Sequence, residues 1–165
     1  MEFERPSFPE IYMSLARSLS ARSTCSVSRV GTVITSVDFR KVLAVGYSGN
    51  ATGLPNRCDR EVPAPTVECP HPDCGCLHSE ENAVIHCDAP RTEPKIVFVT
   101  QMPCRACAKR IIQLGGLVDL YYLAPSVEES ARASDEAILA DSTTVELITS
   151  VGARVHGLRV PGASP

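Results

Sequence analysis

Two segments of this 165-residue sequence decide its fold and its site: His78-Ser-Glu80-Glu-Asn-Ala-Val-Ile and Pro103-Cys104-Arg-Ala-Cys107-Ala-Lys-Arg-Ile-Ile. Three side chains in them, His78, Cys104 and Cys107, can bind a zinc ion and leave the fourth tetrahedral position to water. A structural zinc site normally closes all four positions with protein ligands, whereas a catalytic one keeps a position open and needs a proton carrier beside it. Glu80, two residues from the histidine, is the predicted proton carrier. The two segments therefore predict a catalytic zinc site.

Each segment is predicted to begin a helix that carries its zinc ligands in the first turn. Residues 78–88 favour a helix, and the Val- and Ile-rich residues 95–100 predict a buried strand after it. Pro103 is a residue type favoured at a helix start, and Gly115-Gly116 is expected to end the second helix. Because the N-terminal end of a helix is electropositive, it stabilises thiolates and an activated water.

The chain before the site is predicted to form a helix and a hairpin. Apolar residues at four-residue spacing predict an amphipathic helix over 8–23. The β-branched residues of 29–36 and 42–47 predict two antiparallel strands. A loop rich in proline and glycine, over 48–77, then leads to the first zinc ligand.

The chain after the site continues the alternation of strands and helices. We expect a strand over 117–123, a helix over 134–151 and a short strand over 154–160. Strands that alternate with helices from residue 78 onward predict a parallel half of the sheet.

Length and composition limit the class of protein. With 165 residues and 44% hydrophobic residues, the chain is expected to form a single catalytic domain over 1–165. It has no run of about 18 apolar residues and no apolar segment typical of a signal peptide, so we expect a cytoplasmic protein that binds no membrane. The net charge of −3 and the 5% aromatic content argue against a groove for nucleic acid. Eight cysteines, mostly near histidines, indicate metal binding in a reducing compartment.

From about residue 19 to residue 123 the sequence resembles the deoxycytidylate (dCMP) deaminases of the cytidine deaminase-like superfamily. Besides the zinc motifs, the matching segments are Arg22-Ser-Thr-Cys25, Val30-Gly-Thr-Val-Ile, Gly46-Tyr-Ser-Gly49, Glu81-Asn-Ala83 and Cys107-Ala-Lys-Arg-Ile-Ile-Gln-Leu-Gly. The resemblance implies a three-layer α/β/α fold with a mixed five-stranded sheet. It implies zinc-dependent hydrolysis of dCMP to dUMP and ammonia, with a nucleotide as the small-molecule substrate. It also implies His78, Cys104 and Cys107 as zinc ligands.

The same resemblance implies further properties of the protein. Glu80 would be the proton shuttle of the reaction. The protein would be a homo-oligomer, often a hexamer. Some members of the family are regulated by dCTP and dTTP, and we expect Mg²⁺ to accompany such an allosteric nucleotide.

Three positions depart from the family pattern. The usual Gly-Tyr-Asn-Gly is Gly46-Tyr-Ser-Gly in this chain, and the asparagine is expected to hydrogen-bond the sugar. Because serine is shorter, either Ser48 or Asn50 is the candidate for that contact, unless sugar recognition differs. Ser79 and Thr32 replace usual alanines, and each adds a hydroxyl near the pocket. These hydroxyls are expected to alter hydrogen bonding to the base or to the zinc-activated water.

The remaining cysteines predict a second, structural zinc. Some bacterial and phage members of the resembled family carry one, with ligands from the same two regions of the chain. The preferred ligands are Cys25, Cys58, Cys74 and Cys76, with Cys69 or His71 as replacements. A closed metal site would order the proline-rich loop, because metal binding contributes folding free energy directly. The alternative is a set of reduced thiols without a dedicated metal.

Other functions would use the same residues. A deaminase that edits nucleic acid, or one that acts on a modified nucleotide, would use the same zinc chemistry, but an editing enzyme is expected to carry basic and aromatic surfaces. A non-catalytic zinc-binding module would use Cys104 and Cys107 in a closed structural site. A thioredoxin-like dithiol at the same two cysteines would leave the pattern His78-Ser-Glu80 unexplained.

Overall fold

A computed structural model describes residues 5–58, 75–125 and 134–159. The helices and strands in these ranges are α1 Phe8–Ser20, β1 Gly31–Ser36, β2 Val42–Tyr47, α2 Ser79–Ile85, β3 Lys95–Val99, α3 Arg105–Leu114, β4 Leu117–Leu123, α4 Asp135–Thr149 and β5 Arg154–Leu158. Most of the proline-rich segment before the first zinc ligand and the end of the expected last strand lie outside the described residues.

The five strands form one mixed sheet in the order β2-β1-β3-β4-β5. Strand β1 runs antiparallel to both β2 and β3, whereas β4 runs parallel to both β3 and β5. The sheet confirms the predicted hairpin in the first part of the chain and the predicted parallel half in the second.

Helices cover both faces of the sheet and bury a hydrophobic core on each. On one face, Met13 and Ala16 of α1 pack against Val33, Ile96 and Phe98 of the sheet. On the other face α2, α3 and α4 pack against the strands, through a core that includes Ala83, Ala108, Ile111, Ile148, Ile34 and Val97. The three-layer α/β/α arrangement is therefore confirmed. No helix within the described ranges is both long and apolar enough to cross a membrane.

Two glycines allow helices to lie directly against the sheet. A Cβ atom on Gly31 of β1 would collide with the carbonyl oxygen of Ala16 in α1. A Cβ atom on Gly46 of β2 would collide with the carbonyl oxygen of Ser79 in α2. Because glycine has no side chain, the backbone of α2 lies in contact with the strand, and Glu80 is brought against the sheet.

Helix α2 is shorter than the sequence predicts. It ends at Ile85 rather than at residue 88. The His86 ring Nδ1 lies 2.7 Å from the carbonyl oxygen of Asn82, which also accepts the His86 backbone N–H at 3.2 Å. Pro90 follows shortly after, and the residue before a proline is disfavoured in the helical conformation. Helix α1 likewise ends at Ser20 rather than at residue 23.

Lys95, at the start of β3, is buried with 1% of its surface exposed. Its ammonium group donates to three backbone carbonyl oxygens: those of Pro90 at 2.6 Å, Glu93 at 2.8 Å and Gly115 at 3.3 Å. Gly115 is the C-cap of α3, where carbonyl groups lack helical partners and a cation is favoured. Lys95 thus ties the α2–β3 loop to the end of α3.

Lys95→Met is expected to lower the free energy of unfolding by about 3 kcal/mol, because three backbone carbonyl groups lose the charged group that donates to them. Urea unfolding followed by circular dichroism measures the change. Lys109→Met, at an exposed position of α3, is the matched control and is expected to stay within about 0.5 kcal/mol of the wild type. Equal stability of the two variants would contradict the role of Lys95.

Candidate metal centre and active site

The starts of α2 and α3 meet at one edge of the sheet. His78 is the N-cap residue of α2, and Cys104 is the N-cap residue of α3. Cys107 follows in the first turn of α3 and is buried. The side-chain amide of Asn82 donates to the Tyr47 carbonyl oxygen at 2.8 Å and fixes α2 to the end of β2. The packing of these elements therefore brings together two segments that lie 26 residues apart in the chain.

The three predicted zinc ligands form a compact cluster. His78 Nδ1 lies 3.7 Å from Cys104 Sγ and 3.4 Å from Cys107 Sγ. All three ligand atoms lie within 4.8 Å of one another. Two tetrahedral ligands of zinc, one sulfur and one imidazole nitrogen, would be about 3.6 Å apart. The observed separations bracket that value, so the residues fit a zinc ion.

The three side chains of the cluster shift one another's pKa values. Hydrogen bonds from Cys107 and His78 lower the pKa of Cys104 to about 3, although burial opposes the change. The hydrogen bond with Cys104 and burial both raise the pKa of Cys107. The hydrogen bond with Cys104 also raises the pKa of His78. Cys104 is thus favoured as a thiolate at a helix start, and the thiolate is the form that binds a metal ion.

Glu80 lies in the first turn of α2, with 4% of its surface exposed. Burial raises the pKa of its carboxyl group, against the opposing effect of hydrogen bonds from its own backbone and from Ser79. The Ser79 hydroxyl donates to Glu80 Oε2 at 2.9 Å. A carboxylate with a raised pKa is suited to accept and return protons close to neutral pH.

Three of the other cysteines form a second cluster. The sulfur atoms of Cys25, Cys58 and Cys76 lie within 4.8 Å of one another. Cys58 Sγ and Cys76 Sγ are 3.7 Å apart, close to the separation of about 3.8 Å between two thiolate ligands of one tetrahedral zinc ion. The remaining predicted ligand, Cys74, lies outside the described residues, as do the replacements Cys69 and His71.

A backbone bridge connects the two clusters. Cys76 and His78 flank Leu77, which exchanges backbone hydrogen bonds of 3.1 and 2.8 Å with Gly49. One side of this short segment carries a cysteine of the second cluster, and the other side carries the histidine of the first. The same backbone bridge therefore holds Cys76 of the second cluster and His78 of the first.

The candidate sugar contacts, Ser48 and Asn50, bind backbone groups of the chain itself. The buried Ser48 hydroxyl accepts from the Val30 N–H at 3.3 Å. The Asn50 amide donates to the carbonyl oxygens of Pro55 at 3.1 Å and Arg57 at 3.4 Å. Asn50 thereby shapes the loop that leads to Cys58. Contact of either side chain with the sugar stays a prediction.

The hydroxyl groups of Thr32 and Ser79 contact each other, which the sequence did not indicate. Thr32 Oγ1 lies 2.8 Å from Ser79 Oγ, although the two residues are 47 positions apart. The sequence placed each hydroxyl near the pocket, but its expected partner was the base or the activated water. In the structure Ser79 bonds Glu80 and Thr32, and an effect of either hydroxyl on the base or the activated water stays a prediction.

Together, the fold and the site define a zinc-binding α/β/α protein in which two helix starts hold three ligands beside a buried carboxylate. Residues 6–124 match the family model of the cytidine and deoxycytidylate deaminase zinc-binding region. The chain belongs to this family.

Individual relatives support the assignment. A deoxycytidylate deaminase of Mycobacterium phage D29 is 31% identical over 118 residues, which cover 67% of this chain and 91% of the phage protein. A deoxycytidylate deaminase of Schizosaccharomyces pombe is 34% identical over 116 residues. The aligned part covers 67% of this chain but only 35% of the yeast protein.

A solved structure shares the fold along most of the chain. The dCMP deaminase of cyanophage S-TIM5, in complex with dCMP and dUMP, superposes with a TM-score of 0.68 and 24% sequence identity. The superposition covers 94% of this chain and 100% of the cyanophage chain. This similarity independently supports the α/β/α fold with its mixed sheet.

Proposed function

We propose that the protein is a zinc-dependent hydrolase that converts dCMP to dUMP and ammonia, and that its 165 residues act as one catalytic domain. The observation that carries the proposal is the position of the buried Glu80 in the turn that follows His78, beside a three-residue zinc cluster. A closed structural site would need a fourth protein ligand and no buried proton carrier.

His78, Cys104 and Cys107 would hold the zinc ion. When bound there, zinc supplies the activation of a water molecule at neutral pH, since it lowers the pKa of that water. The start of α3 adds a positive helix dipole next to the two thiolates, which favours their ionised form.

Glu80 would carry the protons of the reaction. It accepts a proton from the attacking water and delivers it to the ring nitrogen next to carbon 4 of cytosine. The water oxygen forms a bond to carbon 4 as a hydroxyl group. Glu80 then takes the second proton from this hydroxyl and transfers it to the exocyclic amine, the bond from carbon 4 to that nitrogen breaks, and ammonia leaves as the carbonyl group of uracil forms. One carboxylate serves these transfers because it stays buried beside the same cluster.

The relatives named deoxycytidylate deaminase support dCMP as the substrate. The test is ammonia release from dCMP, deoxycytidine, dCTP, CMP, a modified dCMP and a short single-stranded DNA, with identification of each product. We expect dUMP to form from dCMP at the highest rate. A preference for DNA would favour an editing enzyme. If the folded, zinc-loaded protein releases no ammonia from any of these compounds, the proposed activity is refuted.

We further propose a second zinc ion at Cys25, Cys58 and Cys76, with Cys74 as the fourth ligand. The clustering of the first three sulfur atoms supports it. Wild-type protein is then expected to contain two zinc ions per chain, one for each cluster. Cys58→Ala is expected to contain one and to unfold at a lower temperature, because the lost metal no longer contributes to folding.

Inductively coupled plasma mass spectrometry, which measures the number of zinc ions per chain, tests this prediction. Cys87→Ala is the matched control, since Cys87 lies outside both clusters. This variant should retain two zinc ions per chain. A wild-type protein that contains only one zinc ion per chain would contradict the second site.

Oligomerisation and regulation complete the proposal. Phe8, Ile11 and Leu15 form a partly exposed apolar stripe on α1, which supports a homo-oligomer, with a hexamer as the form that the resemblance implies. Sedimentation equilibrium of the zinc-loaded protein tests this, and a monomer at micromolar concentration would contradict it. The thiol-rich metal clusters favour a reducing compartment, which supports the cytoplasm. Regulation by dCTP or dTTP with Mg²⁺ stays a prediction that the same deaminase assay can test.

A further inference from the structure

Three buried side chains form a continuous hydrogen-bonded chain that ends on the proton carrier. Thr32 Oγ1 lies 2.8 Å from Ser79 Oγ, and Ser79 Oγ lies 2.9 Å from Glu80 Oε2. The exposed fraction is 0% for Thr32, 0% for Ser79 and 4% for Glu80. Solvent therefore does not compete for these groups, and the bonds are stronger than they would be in water.

The chemistry of the groups fixes the direction of the chain. When Glu80 is ionised, which is the state that accepts the proton from water, its carboxylate oxygen can only accept the single hydrogen of the Ser79 hydroxyl. Ser79 therefore donates to Glu80, and its oxygen is left to accept a hydrogen from Thr32. Both hydroxyl hydrogens thus point along the chain toward Glu80 Oε2.

The chain connects the catalytic helix to the rigid sheet. Thr32 lies in β1, which is paired on both sides, by β2 and by β3. Ser79 is the first residue of α2, whose backbone lies against Gly46 of β2. The position of Oε2 is therefore fixed relative to β1, an inner strand of the sheet.

We propose that Thr32 and Ser79 are positioning residues that hold Glu80 Oε2, so that the other carboxylate oxygen, Oε1, carries the transferred proton. Ser79 acts directly on Glu80, and Thr32 acts only through Ser79. The inference rests on the proposed deaminase activity and assigns to both hydroxyls a role other than contact with the base.

The test combines kinetics with a double-mutant cycle. Ser79→Ala is expected to lower kcat for dCMP about 10-fold, the size typical for loss of a supporting hydrogen bond, with KM changed less than about twofold. Thr32→Val removes only the distal hydroxyl and should lower kcat less, by about threefold. The double variant should equal Ser79→Ala, because Thr32 has no route to Glu80 without Ser79. Thr32→Ser keeps the hydroxyl group and should therefore keep the wild-type kcat.

Thr35→Val is the matched control. Thr35 is as buried as Thr32 on the same strand, but it lies on the opposite face of the sheet, and its hydroxyl has no hydrogen-bond partner among the described residues. This variant should keep the wild-type kcat. The zinc content of every variant should match the wild type.

A second measurement does not depend on activity. In urea unfolding, Thr32→Val should lower the midpoint in the wild-type background and change it much less in the Ser79→Ala background. In a crystal structure of Ser79→Ala, the Glu80 carboxyl group should occupy more than one orientation.

The outcomes separate this inference from the proposed function. If the wild type is active but Ser79→Ala keeps the wild-type kcat, only this inference is overturned. The same holds if the effects of Ser79→Ala and Thr32→Val on kcat multiply in the double variant. A raised KM with unchanged kcat would show that Ser79 contacts substrate instead. A wild type that releases no ammonia from any nucleotide would overturn the deaminase proposal and this inference with it.

Discussion

Glu80→Gln is expected to lower kcat for dCMP by at least about 1,000-fold while the protein keeps its zinc. Glutamine has nearly the same shape as glutamate but cannot accept and return a proton. Glu80 is not one of the proposed zinc ligands, which are His78, Cys104 and Cys107, so the metal should stay bound. Ammonia release gives the rate, and mass spectrometry gives the zinc content of the same sample.

Glu81→Gln is the control for this variant. Glu81 is the next residue of α2, and its carboxylate lies 3.2 Å from Arg110 Nε in a partly exposed ion pair. Exposed ion pairs contribute little to stability, so this variant should keep activity within about threefold of the wild type. If Glu80→Gln keeps a rate of the same order as Glu81→Gln, the assignment of Glu80 as proton carrier is wrong.

Cys104→Ala is expected to abolish both catalytic zinc binding and activity. It removes one of the three proposed zinc ligands, the thiol whose pKa is lowered to about 3 by its hydrogen bonds with Cys107 and His78. Zinc per chain should fall by one ion relative to the wild type, and the rate should fall by at least about 1,000-fold, since no activated water remains.

Cys87→Ala serves as the control for Cys104→Ala because it also removes a partly buried thiol from the same face of the sheet. This variant should keep the wild-type zinc content and the wild-type rate of dCMP deamination. A Cys104→Ala protein with wild-type zinc content and activity would exclude the proposed metal centre.

Much of the fold could be predicted because local patterns agree with the final structure. The β-branched runs at 29–36 and 42–47 formed the expected hairpin, and alternation after residue 78 produced the parallel strands. The ends of helices were less predictable. Helix α2 stops at Ile85 because the chain then turns: the Cys87 N–H bonds the Val84 carbonyl oxygen, three residues back, rather than the one four residues back.

The clustering of His78, Cys104 and Cys107 could be predicted because these residues lie in two short motifs at helix starts. The Thr32–Ser79 bond could not, since it depends on how closely α2 packs against the sheet, and that distance is set by Gly46. Ser48 illustrates the same limit. The motif suggested a sugar contact, but only tertiary structure shows its hydroxyl bound to the backbone of Val30.

The central claim is hydrolytic removal of the amine from dCMP, and deamination in H₂¹⁸O tests it most directly. The zinc-loaded protein is incubated with dCMP in labelled water, and the product is analysed by mass spectrometry alongside ammonia release. We expect dUMP that carries one ¹⁸O atom in the base, with one ammonia formed for each dUMP. No conversion of dCMP, or dUMP without the label, would contradict the claim.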